Sequence, residues 1–169
     1  SSSAIRAYAR IVTTGDPITS ITITETTSTD KDVLARQYIA RLAPSQTVTG
    51  GQALEFVARF QESTAANDMF SAFAMRIMAS DGATLRKTMI GPTRDGVEMV
   101  AAPTALTARD NTTTSAATNY TTVTGDYLVI EIGGGGNPQT TNPHTYVISL
   151  GDNAGTFLTA NDTETTAND

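Results

Sequence analysis

Apolar residues recur at every second position through much of this chain. In AIRAYARIV, Ile5, Ala7, Ala9 and Ile11 fall on one face and Arg6, Tyr8 and Arg10 on the other. TSITITET turns Ile21 and Ile23 inward between outward threonines. QALEFVARF aligns Leu54, Phe56, Ala58 and Phe60, and SAFAMRIMA aligns Phe73, Met75 and Ile77. DYLVIEI and TYVISL add two further runs. Side chains alternate across a β-strand, so a period of two predicts strands with one buried face. Glycine–aspartate pairs punctuate these runs at Gly15–Asp16, Asp81–Gly82, Asp95–Gly96, Gly125–Asp126 and Gly151–Asp152. Glycine tolerates positive φ and aspartate accepts from its own downstream backbone, so each pair predicts a turn.

One segment fits two periods. In TDKDVLARQYIARLAPS, Thr29 and Asp32 have capping-box spacing, and Leu34, Tyr38 and Leu42 lie four apart. Four is even, so the same three residues also share a face of a strand. The segment is flanked by Thr-rich strand patterns, which favours strand, and Pro44 ends either element. Thr/Asn/Ala-rich stretches such as TARDNTTTSAATN read as surface loops. No alternation of strand and helix emerges. The expectation is an all-β, antiparallel β-sandwich, jelly-roll-like, of about eight strands. Residues 1–158 form one domain and 159–169 a polar, acidic C-terminal arm.

Composition refines this picture. The 169 residues carry a formal net charge of -6, with 11 Lys and Arg against 17 Asp and Glu. That balance opposes binding to nucleic acid or to anionic membranes. There is no cysteine, which excludes disulfides and thiolate metal sites. Only 17% of residues are charged, and threonine is the commonest, so hydroxyls rather than charges wet the outer strand faces. No stretch reaches the length of a membrane-spanning helix. SSSAIRAYARIV lacks the basic and apolar regions of a signal peptide.

Candidate chemistry is sparse. Gly133–Gly136 invites a phosphate-loop reading, but Asn137–Pro138 follows where lysine and a helix would be needed. The run therefore reads as a mobile hairpin loop that tolerates shortening. His144, the one histidine, could serve as a base with an acid and a nucleophile such as Ser149 or a threonine, but spacing fixes none of them. Glu55, Glu62, Glu98 and Glu131 could pair across a cleft as glycosidase carboxylates do, although Glu55 and Glu131 fall on polar strand faces. GDNAG (151–155) and ANDTE (160–164) are the calcium candidates, but turn formation explains the same letters. Asn111, Asn119 and Asn161 open glycan-acceptor triplets that an Asn/Thr-rich chain produces by chance. Neither a catalytic residue, a cofactor nor a metal is assigned.

The stretch from IARLAPSQTVTGGQALEFVARFQESTAANDMFSAFAMRIMASDGATLRKTMIG through TGDYLVIEIG to YVISLGDNAGTFLTANDTETTAND resembles a family of phage virion proteins, β-sandwich decoration or tail-associated domains. Its landmarks are Leu42, Thr49–Gly50, the Glu62–Asn67 turn, Asp81–Gly82, Gly125–Asp126, Glu131, Gly133 and Gly151–Asn153. All are turn and sheet determinants. The resemblance implies a non-enzymatic structural protein of a virus particle that decorates or stabilises a capsid or tail. Its partners would be itself and neighbouring virion proteins. Proteins of this kind continue into one more apolar stretch, implying a closing strand from outside residues 1–169. The alternative is a carbohydrate- or host-surface-binding module of a tail fiber, with a surface glycan as partner. For the structural reading, the strand-borne Arg6, Arg10 and Arg41 are candidate receivers for Asp162, Glu164 and Asp169 of a neighbour's arm, which Phe157 and Leu158 aim outward.

Overall fold

The computed structural model describes residues 5–8, 19–25, 29–101, 107–136 and 144–150. These form eleven strands: β1 (Ile5–Tyr8), β2 (Thr19–Glu25), β3 (Lys31–Arg41), β4 (Thr47–Val48), β5 (Ala53–Glu62), β6 (Met69–Met78), β7 (Leu85–Glu98), β8 (Thr107–Thr114), β9 (Tyr120–Thr121), β10 (Tyr127–Gly136) and β11 (His144–Leu150). The antiparallel partners are nested. β6 pairs with β7, β5 with β8, β4 with β9, β3 with β10, and β2 with β11. The chain is thus one long hairpin whose tip is the Asp81–Gly82 turn. Rolled up, the hairpin joins laterally where β10 meets β6 and β11 meets β5.

Two sheets result, with orders β1-β3-β10-β6-β7 and β2-β11-β5-β8, plus the small β4-β9 ribbon. The eight long strands of this wrap make a jelly roll. The expected architecture holds, with one addition: β1 runs parallel to β3 at the sheet edge, so the five-stranded sheet is mixed.

The period-two faces meet where the sheets pack. Phe60, Ala58, Tyr146 and Ile148 from the four-stranded sheet lie against Ala35, Ile132, Met69 and Met99, with Ile21, Ile23, Tyr38 and Ile130 at the margin. Phe60, Ile77, Tyr146 and Ile148 are fully buried. Each such side chain contributes about 1.5–3 kcal/mol through lost water contact.

Four local expectations are corrected. Gly133–Gly136 is not a loop but the end of β10, hydrogen-bonded between β3 and β6 and buried throughout. The reason is proximity. A Cβ at Gly133 would stand 2.0 Å from the Val33 carbonyl oxygen, and one at Gly136 would stand 2.2 Å from that of Asp68. Glycine is there because backbone passes close by, not because the chain must turn. Second, TARDNTTT forms β8, since eight residues of β5 offer it a complete ladder. Third, Asp95–Gly96 lies within β7, a long edge strand whose pairing with β6 shifts register repeatedly. Bulges of this kind absorb turn-prone residues at a sheet edge. Fourth, the ambiguous segment is strand β3, but the register shifts between Ile132 and Gly133, leaving Ala35 as an extra residue. One added residue reverses the faces. Leu34 therefore parts from Tyr38 and joins the opposite face of the sheet.

Candidate functional site

The face of the five-stranded sheet that points away from the core carries a bonded polar row, Gln37, Glu131 and Arg76. Cross-strand register sets it. Glu131 of β10 stands opposite Gln37 of β3 and Ala74 of β6, and Val129 stands opposite Ile39 and Arg76. Gln37 Nε2 donates to Glu131 Oε1 at 2.9 Å, and Arg76 forms an ion pair with Glu131 Oε2. Both oxygens of Glu131 are engaged and its charge is matched, which suits it to positioning rather than to proton transfer.

Two grooves flank this row. One, of about 450 Å³, is lined by Gln37, Arg76, Asp81, Tyr127 and Glu131 with Ile39 and Met78. The other, of about 180 Å³, is mainly apolar and is bounded by Leu34, Ala72, Ala74 and Pro92. Ala72, Ala74 and Val129 form a floor of small side chains between them, already buried by their neighbours. Beyond the second groove, Arg94 bonds Asp30 Oδ1 at 2.6 Å and Asp32 Oδ1 at 2.7 Å. This bridge crosses directly over Gly135, where a Cβ would meet Asp32 Oδ1 at 2.1 Å.

The sequence-derived candidates scatter. Arg41 is exposed at the end of β3, opposite Tyr127. Arg6 is placed by register opposite Gln37 on β1. Arg10, Phe157, Leu158, Asp162, Glu164 and Asp169 lie outside the described residues, as do both calcium candidates. His144 opens β11 opposite Glu25, and Ser149 stands five residues along the same strand, where its hydroxyl contacts that of Ser20 at 3.2 Å. The two are not brought together.

Of the four glutamates, Glu131 is in the outer cluster. Glu62 and Glu98 come together elsewhere, at one end of the sandwich and outside both grooves. Glu62 continues the inward series Ala58, Phe60. Its carboxylate is buried, and its Oε2 accepts the Met69 N–H at 3.2 Å.

A second buried acid was not anticipated. Asp126 accepts from the Tyr120 hydroxyl and the Val123 N–H, both at 2.8 Å, and Arg86 Nε lies 3.6 Å away. It is a cap that ties the β9–β10 turn to β7. The Gly125–Asp126 pair signalled the turn but not the burial.

No protein-family model and no curated protein sequence matches the chain. Among solved structures, a CocE/NonD family hydrolase from Staphylococcus aureus is similar at 11% identity and a TM-score of 0.45, over 81% of this chain and 32% of that one. A chain of infectious bursal disease virus, Gt strain, is similar at 13% identity and a TM-score of 0.25, over 80% of this chain and 33% of that one. The chain thus spans about a third of the length of these structures. Likenesses at these scores carry no inference about activity or partners. The fold itself defines the class: an all-β jelly-roll module.

Proposed function

We propose that this chain is a non-catalytic structural module of a virus particle, which decorates or stabilises a capsid or tail by docking on copies of itself and on neighbouring subunits. The observation that carries this reading is the outward face of the five-stranded sheet. Its floor of Ala72, Ala74 and Val129 is walled by Leu34, Ile39, Met78 and Pro92, and no described element covers it. A face of small apolar residues with a fixed polar row at its centre suits close packing in one register. The jelly-roll wrap adds support by analogy only, since viral shells and lectins both use it. The repeated contact of a symmetric particle would multiply a modest pairwise affinity.

Sedimentation equilibrium tests the docking face. The wild-type chain is expected to self-associate as concentration rises, and Pro92→Arg, at an exposed wall of the face, to weaken association at least about tenfold, the equivalent of 1.4 kcal/mol. A wild type that stays monomeric up to millimolar concentration, or a variant that associates equally well, contradicts this face as the docking surface.

A second reading rests on the 450 Å³ groove. Tyr127 beside Gln37, Arg76, Asp81 and Glu131 offers one aromatic surface and several hydrogen-bonding groups, the ingredients of a glycan site on a tail-fiber module. Binding of a host-surface glycan by the isolated chain, lost in Tyr127→Ala, would favour it over the structural reading.

A further inference from the structure

Glu62 and Glu98 are each the last residue of a strand, β5 in the four-stranded sheet and β7 in the five-stranded sheet. The chain crosses between sheets immediately after both. Residues 63–68 carry it from β5 to β6, and the segment beginning at Met99 carries it from β7 toward β8. Backbone hydrogen bonds knit the crossings together: Glu62 N–H donates to Val100 O at 2.8 Å and Met99 N–H to Met69 O at 2.7 Å. The 63–68 turn is fastened in its own right. Thr64 Oγ1 donates to Asn67 Oδ1, Asn67 Nδ2 donates to Ser63 Oγ, and Ser63 N–H donates to Thr145 O of β11.

Within this junction the two carboxyl groups lie within hydrogen-bonding reach of one another. Written as two carboxylates, they present acceptors and no donor. Glu62 Oε1 and Glu98 Oε1 are then both buried without a partner. Two ionised carboxylates in contact also repel, and the burial of Glu62 takes away much of the water that would screen the pair. One proton removes both difficulties, by supplying an O–H donor and cancelling one charge.

Among the described side chains, neither Asp68 nor Tyr146 supplies a donor to the pair. From the turn, Asp68 adds a third acidic group. From β11, Tyr146 stands opposite Glu62 in register, but its hydroxyl is directed to Gly134 O at 3.4 Å. β6 contributes Met69, and the chain after β7 contributes Met99, Val100 and Ala101, none of which titrates.

We propose that Glu62 and Glu98 share a single proton that latches the two sheets together at this end of the jelly roll. Loss of the proton loosens the junction, making the module tighter in mildly acidic surroundings than above neutrality. The electrostatics agree in direction: burial first, then the Glu98 charge and hydrogen bond, push Glu62 from the ordinary 4.5 up to about 7. The folded state holds a proton that the unfolded chain has released, so this pair's contribution to stability is full below about 4.5 and is lost as pH rises through about 7.

Carboxyl carbon NMR titration of the wild-type chain tests this, beside thermal melting at pH 5 and pH 8. One glutamate should titrate near 7, and the melting temperature should fall from the lower pH to the higher. Glu62→Gln supplies a neutral donor and should flatten that fall. Glu98→Gln gives Glu62 an amide donor and should lower its midpoint by about one unit or more. Titration of Glu62 in the ordinary carboxyl range in the folded wild type overturns the proposal. So does a Glu62→Gln variant that melts lower at both pH values with the wild-type slope retained. Millimolar calcium that restores the pH 8 melting temperature in the wild type but not in Glu62→Gln also overturns it, by making the junction a cation site.

Discussion

Gly133 shows what a single side chain would undo. Adding one methyl group there puts carbon 2.0 Å from the Val33 carbonyl oxygen, and backbone cannot yield as a flexible side chain can. Gly133→Ala is therefore expected to destabilise the fold by about 3 kcal/mol or more, in the upper range for overpacking. Gly96→Ala is the control. Nothing lies within 4 Å of that position, so its change should stay within about 0.5 kcal/mol by urea unfolding.

Asp81 makes a different residue-scale prediction. The Thr84 hydroxyl and the Thr84 and Ala83 N–H groups all donate to its carboxylate, which holds its pKa down to about 2. The folded value lies below the ordinary 3.8. Whatever this turn adds to stability is thus present above about pH 4 and lost as pH falls toward 2. A carboxyl titration of Asp81 with an unshifted midpoint would contradict it. This turn was legible, because aspartate and glycine at a hairpin tip act through neighbours in sequence. The Glu62–Glu98 contact was half legible: both residues were among four glutamates that could pair, but the reading did not single out these two or turn Glu62 toward the core. The distance that brings them together comes from the rolling of the hairpin, which no local pattern encodes.

Among the elements, β10 decides most. It is the central strand of its sheet, and its glycine end gives up side-chain burial so that the β3 backbone, Tyr146 and the Arg94 bridge can close in. Four adjacent glycines carry no periodicity, so the sequence offered only their flexibility, and a loop was the natural reading. Shortening Gly133–Gly136 by two residues should now abolish cooperative unfolding, because two rungs are lost against both β3 and β6. A shortened chain that melts cooperatively near the wild-type temperature would refute this. The β9–β10 turn is a second control point. Asp126→Ala removes a fully buried acceptor of two hydrogen bonds and should cost about 2–4 kcal/mol. In β3, strand was legible from the alternation around it, but the Ala35 bulge was not. A bulge is fixed by the partner strand rather than by the bulged one.

At the scale of the whole molecule, the period-two runs and their turns revealed an all-β sandwich, and the nested pairing makes it a jelly roll. The acidic balance predicts how the chain behaves toward nucleic acid. With a net charge of -6 the chain on balance repels phosphates and gains little from counterion release, so filter binding at low salt should retain no DNA. The proposed docking face was not visible beforehand. Its residues come from four strands, β3, β6, β7 and β10, and two are alanines that look like filler in a linear reading. The proposed role as a packed virion subunit is tested most directly by imaging the native assembly by cryo-electron microscopy. The account predicts many copies in an ordered array, with Ile39 and Pro92 buried against a neighbouring subunit. Copies confined to a fiber tip, with that face open to solvent and a glycan in the groove beside Tyr127, would contradict it.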